Sequence, residues 1–72
     1  MDTLTKGILW FDNSSIPLKN KYARAALYYY DKYKVLPDIC YVNPSMIEPV
    51  PDHLNIRPLV NVMPGYLWIG IK

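Results

Sequence analysis

Cys40 and His53 are the only cysteine and histidine in the chain, and they frame the chemistry it can do. A zinc site needs four ligands of the Cys, His or carboxylate type, so one Cys and one His leave half of the set to acids. Cys40 stands between Ile39 and Tyr41 in an apolar run, the setting of a buried structural thiol rather than of an activated nucleophile. His53 sits in a proline-rich connection with no partner indicated. The carboxylates are Asp2, Asp12, Asp31, Asp38, Glu48 and Asp52. Asp12 ends one apolar run and Asp38 begins another, which in parallel strands places them at opposite ends of a sheet. They cannot cooperate as acid and base. No phosphate loop, dinucleotide fingerprint or nucleophile–base spacing is present. No catalytic residue, cofactor site or metal site is read, and an enzyme is not expected.

Two weaker binding patterns remain. Lys19, Lys21, Arg24, Lys32 and Lys34 are basic, with Asp31 the one acid between Pro17 and Val35. Lys21, Arg24 and Lys32, with Tyr28 among them, share the solvent arc of a helix. Such a stripe can contact phosphates while the ring stacks on a base. An ordinary exposed helix face carries the same residues, and a pI near 8.7 is a small basic excess for nucleic-acid binding. Asp12-Asn13-Ser14-Ser15 lies at the carboxyl edge of a strand, where α/β folds place ligands. Asn13, Ser14 and Ser15 are therefore candidate anion ligands beside a helix N-terminus. The plainer reading, a strand-to-helix turn with a serine cap, is preferred.

The elements that position these residues follow from periodicity and punctuation. Residues 7–12, Gly-Ile-Leu-Trp-Phe-Asp, form an apolar run rich in strand formers, closed by turn residues. Ser14 or Ser15 can cap a following helix, and Pro17 suits a first turn. Leu18, Tyr22, Ala25, Ala26, Tyr29 and Tyr33 then make one stripe at helical spacing. The helix is expected over 16–35, because the residue before Pro37 is pushed out of the α region. Ala23, Leu27 and Tyr30 flank that stripe, either as a surface for a partner helix or, preferably, as the margin of a broad core face.

Residues 38–43 make a second strand, parallel to the first through a right-handed crossover. Asn43-Pro44-Ser45 caps a brief helical turn, and residues 44–55 form an irregular proline-rich connection. Residues 56–63 and 66–71 read as a hairpin around Met63-Pro64-Gly65-Tyr66, with Pro and Gly in the central positions of a type II turn. The fold expected is α/β (α+β), a single domain over residues 1–72 in the order β-α-β-β-β, with one amphipathic helix on a mixed sheet of about four strands. Residues 7–12 are the most uniformly apolar strand.

One helix covers one sheet face. Leu9 and Phe11 point away from Ile8 and Trp10, Ile39 and Tyr41 away from Cys40 and Val42, and Tyr66 and Trp68 away from Leu67, Ile69 and Ile71. Apolar residues therefore remain on the second face whichever side the helix takes. An exposed face of that kind marks an interaction surface, and Trp10, Tyr41, Tyr66 and Trp68 are the side-chain types that anchor one. The competing reading is that residues 44–55 fold across it, with Met46, Ile47, Val50 and Leu54 as their apolar content.

The chain has 72 residues, 51% hydrophobic and 19% charged, with a net charge of +2. That composition excludes intrinsic disorder, and the length allows one core. A domain this short buries only about 60% of its unfolded surface, so disulfides, metals or partner chains usually supplement it. A lone cysteine removes the first and the ligand count disfavours the second, so a homo-oligomer or another protein partner is expected. Residues 1–6 have no apolar signal-peptide core. The longest uncharged run, Pro58 to Ile71, is shorter than the roughly 20 residues that span a bilayer. A cytoplasmic protein without membrane association is expected.

The skeleton Gly7-x-Leu9-Trp10-Phe11-Asp12, Lys21-x-x-Arg24-Ala25-x-x-Tyr28, Lys32-Tyr33, Pro37-x-x-Cys40-Tyr41-Val42-Asn43-Pro44 and Pro64-Gly65-x-x-Trp68-Ile69-Gly70 covers most of the chain. It resembles short uncharacterised bacterial or prophage-type open reading frames. The resemblance implies a bacterial, intracellular origin and carries no site.

Overall fold

Leu67 and Ile69 have no exposed surface: they pack against Leu18, Ala25 and Tyr29, on a strand that is paired along both edges. The computed structural model describes residues 6–72; Asp2 and the stretch before Lys6 lie outside the described residues. Strand β1 (Lys6–Phe11) leads to helix α1 (Leu18–Tyr33) and strand β2 (Ile39–Val42). A single 3-10 turn (Pro44–Met46), strand β3 (Ile56–Pro58) and strand β4 (Tyr66–Ile71) follow. The result is a small α+β domain, one helix with a mixed four-stranded sheet in the order β1-β4-β2-β3. None of the described helices is long and apolar enough to cross a membrane.

Strand order is where the sequence reading needs correction. β4 runs antiparallel to both β1 and β2, so those two are parallel in direction but separated by it. β1, whose residues 7–12 read from sequence as the most uniformly apolar strand, is at an edge. The hairpin expected for 56–63 and 66–71 does not form: β3 pairs parallel with β2 instead. Pro58 ends β3, since it has no N–H to offer a ladder. The chain then turns back, Leu59 N–H donating to Val42 O at 2.8 Å and Val62 N–H to Leu59 O at 3.0 Å. Only after this detour does the expected Met63–Tyr66 turn occur. Tyr66 N–H reaches Met63 O at 3.1 Å, and Gly65 takes φ +91°, as the third position of a type II turn requires. A Cβ added at Gly65 would lie 3.0 Å from the Phe11 ring.

The alternation read from sequence holds on β1, β2 and β4. Ile8, Trp10, Cys40, Val42, Leu67, Ile69 and Ile71 pack toward Leu18, Ala25 and Tyr29 of the helix, with Tyr22, Ala26 and Tyr33 beside them. Ile39, Tyr41, Tyr66 and Trp68 belong to a second cluster on the far face.

The helix is shorter than the expected 16–35 at both ends. Ile16 precedes Pro17 and is kept from the α region, so the first helical residue is Leu18. Neither Ser14 nor Ser15 caps it: Pro17 is the N-cap residue, with φ −58° and ψ 151°. The Leu18 N–H donates instead to the Glu48 carboxylate from the proline-rich connection. At the other end Lys34 takes the left-handed conformation, φ 61° and ψ 22°, and its N–H donates to Tyr30 O at 2.7 Å. A side chain with a Cβ is disfavoured there by roughly 1 kcal/mol, and the exposed Lys34–Asp31 pair at 3.8 Å offsets little of this. Lys34→Gly is expected to raise stability by about 0.5–1 kcal/mol, read as a higher midpoint in urea with an unchanged slope.

Candidate functional site

Residues 44–55 do not seal the far face of the sheet. Met46 and Val50 from that connection pack on the helix side, and the Met46 sulfur accepts from Gly65 N–H at 3.1 Å. The cover comes from the detour between β3 and β4, where Leu59 and Val62 pack over Ile39 and Tyr41. Asn43 holds that detour, its side-chain amide donating to Val62 O at 2.9 Å. Val62 is buried on both counts, by position and by contact, and a side chain of its size contributes about 1.5–3 kcal/mol when buried. This cover stops short of β1.

Over β1 and the adjoining part of β4 the far face is open. A cleft of about 550 Å³ lies there, with Gly7, Leu9, Val62, Met63, Tyr66 and Trp68 among its lining residues. Leu9 is 62% exposed, Phe11 54% and Met63 67%. Phe11 leans on Tyr66, ring centroids 4.8 Å apart, and Leu9 stands across from Trp68 in the β1–β4 register. The cleft is apolar, its volume is in the range of ligand and peptide sites, and it borders a sheet edge.

Backbone parity shows what that edge offers. Asp12 N–H donates to Gly65 O at 2.8 Å, so Asp12 faces β4, and by alternation Trp10 and Ile8 do too. Gly7, Leu9 and Phe11 then turn their N–H and C=O groups outward, away from β4, with no strand beyond them among the described residues. The opposite edge is guarded: β3 has three residues, exposes Arg57 and ends on Pro58, all devices that blunt pairing. β1 has six residues, with neither charge nor proline between Gly7 and Phe11, and nothing among the described residues guards it.

Of the four residues expected at an interface, Tyr66 and Trp68 lie on this surface and two do not. Trp10 is on the helix side, its ring 5.3 Å from that of Tyr28, because its position on β1 has the parity of Ile8. Its buried indole N–H meets no acceptor among the described residues. Tyr41 has the right parity, but the detour leaves it 5% exposed. Leu9, Phe11 and Met63 are the residues that reading missed. The parity of Leu9 and Phe11 was legible; the edge position that exposes them was not.

The basic stripe is partly engaged within the chain. Arg24 lies 3.9 Å from the Asp12 carboxylate, Tyr28 packs on Trp10, and the Lys32 ammonium sits 5.6 Å from the Tyr33 ring centre. Lys21 is half-buried. Two carboxylates stand at Asn13, Ser14 and Ser15, the candidate anion ligands, and speak against that use. Asp12 accepts from Ser14 N–H at 3.0 Å and from Ser14 Oγ at 2.6 Å, and Glu48 takes the Leu18 N–H. Negative charge already occupies the ground an anion needs. On the flank of α1, Leu27 and Leu36 are about 70% exposed beside Ala23 and Tyr30, around a shallow depression.

No group of three or more His, Cys, Asp or Glu suited to a metal occurs among the described residues. Asp38 is engaged at the end of the sheet remote from Asp12, its carboxylate accepting from Lys72 N–H at 2.9 Å. Comparison with protein-family models, with curated proteins and with solved structures finds no match.

Cys40 is wholly buried, and burial pushes its thiol up to about 12. Ellman's reagent is therefore expected to leave the native protein unmodified and to titrate one thiol in denaturant. The Ser14 hydroxyl and N–H hold the Asp12 carboxyl below its ordinary value, and Lys21 and Arg24 add to this. Because the folded value is depressed, the stabilisation is present above the unfolded value near 3.9 and is lost as pH falls through the folded one. Asp12→Asn should flatten that part of the acid unfolding curve while leaving the slope near neutrality unchanged.

Proposed function

We propose that this chain is a non-enzymatic protein-interaction module that self-associates or docks a protein partner through the open β1 half of its far sheet face and the adjoining edge. One observation carries the reading. The apolar cleft at Tyr66 and Trp68 adjoins a strand whose outward backbone groups have no partner among the described residues. Strand addition to a free edge supplies hydrogen bonds, and a neighbouring apolar depression supplies selectivity. The size of the domain supports it too, since a chain this short gains much of its missing burial from association.

Sedimentation equilibrium between about 5 and 500 μM, at low salt and in 0.5 M NaCl, tests the proposal. Concentration-dependent association that persists in high salt is expected, because burial of apolar surface is not screened. The tryptophan emission should shift blue as Trp68 is covered. A monomer across the whole range overturns self-association. Binding to a duplex or single-stranded oligonucleotide that collapses with salt and is lost in Lys21→Glu/Arg24→Glu/Lys32→Glu would assign function to the helix stripe instead.

A further inference from the structure

β1 is complementary to itself, and this complementarity specifies a partner and a register. We infer that the occupant of the open edge is a second copy of this chain, joined by antiparallel pairing of β1 with its symmetry mate about a two-fold axis at Leu9. The inference rests on the proposed docking surface and deepens it.

The outward backbone groups belong to Gly7, Leu9 and Phe11. Centring the axis on Leu9 sets Leu9 opposite its own copy and Gly7 opposite Phe11 of the second copy, and the reverse. All three outward residues then fall in hydrogen-bonded pairs, each exchanging two N–H···O bonds. Moving the axis to Ile8 or Trp10 leaves one of the three facing residues beyond the strand. A two-fold axis also closes the assembly, so the pairing ends at a dimer with a continuous sheet of twice four strands. The unguarded edges are consumed in forming it.

Side chains agree with this register. Residues directly opposite in an antiparallel pair share a face, with Cβ atoms about 4.5–5.5 Å apart. Phe11 of each copy therefore comes down over Gly7 of the other, on the open face. Gly7 is exposed, has no side chain to obstruct the ring, and lines the cleft together with Leu9 and Trp68. A knob and its hole lie on the same strand, an equal distance either side of the axis. Charge fits as well. No residue between Gly7 and Phe11 is charged, so the register brings no like charges together along the paired stretch.

The area sets the strength. Leu9, Phe11 and Met63, each more than half exposed, offer on the order of 100 Å² apiece. With the edge backbone this comes to roughly half of the ~800 Å² per partner found in standard interfaces. The dimer is accordingly a weak, reversible one.

Leu9→Cys is the direct test, because Cα atoms of such a pair lie about 5.5 Å apart, within the reach of a disulfide, and the native Cys40 is buried. Under mild oxidation at 200 μM, Leu9→Cys is expected to give a covalent dimer at least tenfold faster than Val60→Cys, whose residue is 74% exposed but lies away from the edge. Gly7→Val, which fills the hole, and Phe11→Ala, which removes the knob, should each weaken association about tenfold while circular dichroism stays unchanged. Equal cross-linking of Leu9→Cys and Val60→Cys overturns the β1 pairing. If the wild type still associates in the sedimentation experiment, the docking surface survives and only its register falls. If the wild type is monomeric, both fall.

Discussion

The structure depends on β4 entering between β1 and β2. Its Leu67 and Ile69 are the centre of the helix-side core, and its two edges satisfy the backbones of strands that are distant in sequence. Without it, α1 would cover two strands with no hydrogen-bonded connection. A helix of 16 residues carrying only Leu18, Ala25 and Tyr29 as fully buried groups has little stability of its own. Long-range strand pairing is the slow and costly step in folding. Here it is concentrated in the final element.

That insertion sets the asymmetry of the far face. To reach the central position from the far edge of the sheet, the chain must cross the sheet after Pro58, and the crossing deposits Leu59 and Val62 on Ile39 and Tyr41. The β2 half is thereby closed by the chain itself. The β1 half lies beyond the reach of this crossing and keeps Leu9, Phe11 and Trp68 at the surface. A continuous apolar face was expected; half of one is present, and it adjoins the less protected of the two edges. The location of the open apolar surface is thus a by-product of strand order.

The polar groups tell a consistent story of internal use. Glu48 satisfies the helix N-terminus that a serine was expected to serve, Asp12 draws Ser14 and Arg24 to itself, and Asn43 and Asn55 tie connections to the sheet. Carboxylates employed in this way hold the loops in place. Asp12 and Asp38 lie at opposite ends of the sheet.

Local pattern was enough to read the helix stripe, the inward and outward sets on each strand, the Asn43 cap and the turn at Pro64-Gly65. Each depends on residues within a few positions of one another, where period and φ preference decide. The burial of Cys40 was legible for the same reason, from its apolar neighbours in a strand. Strand order, the route of the detour and the Glu48 contact with Leu18 were not, because they join residues far apart in the chain. Competing pairings expose and bury similar side chains locally, and the difference among them appears only when the whole sheet is assembled. Trp10 and Tyr41 illustrate the division. Their chemical type suited an interface, yet one was turned inward by the side the helix took and the other was covered by a segment twenty residues downstream.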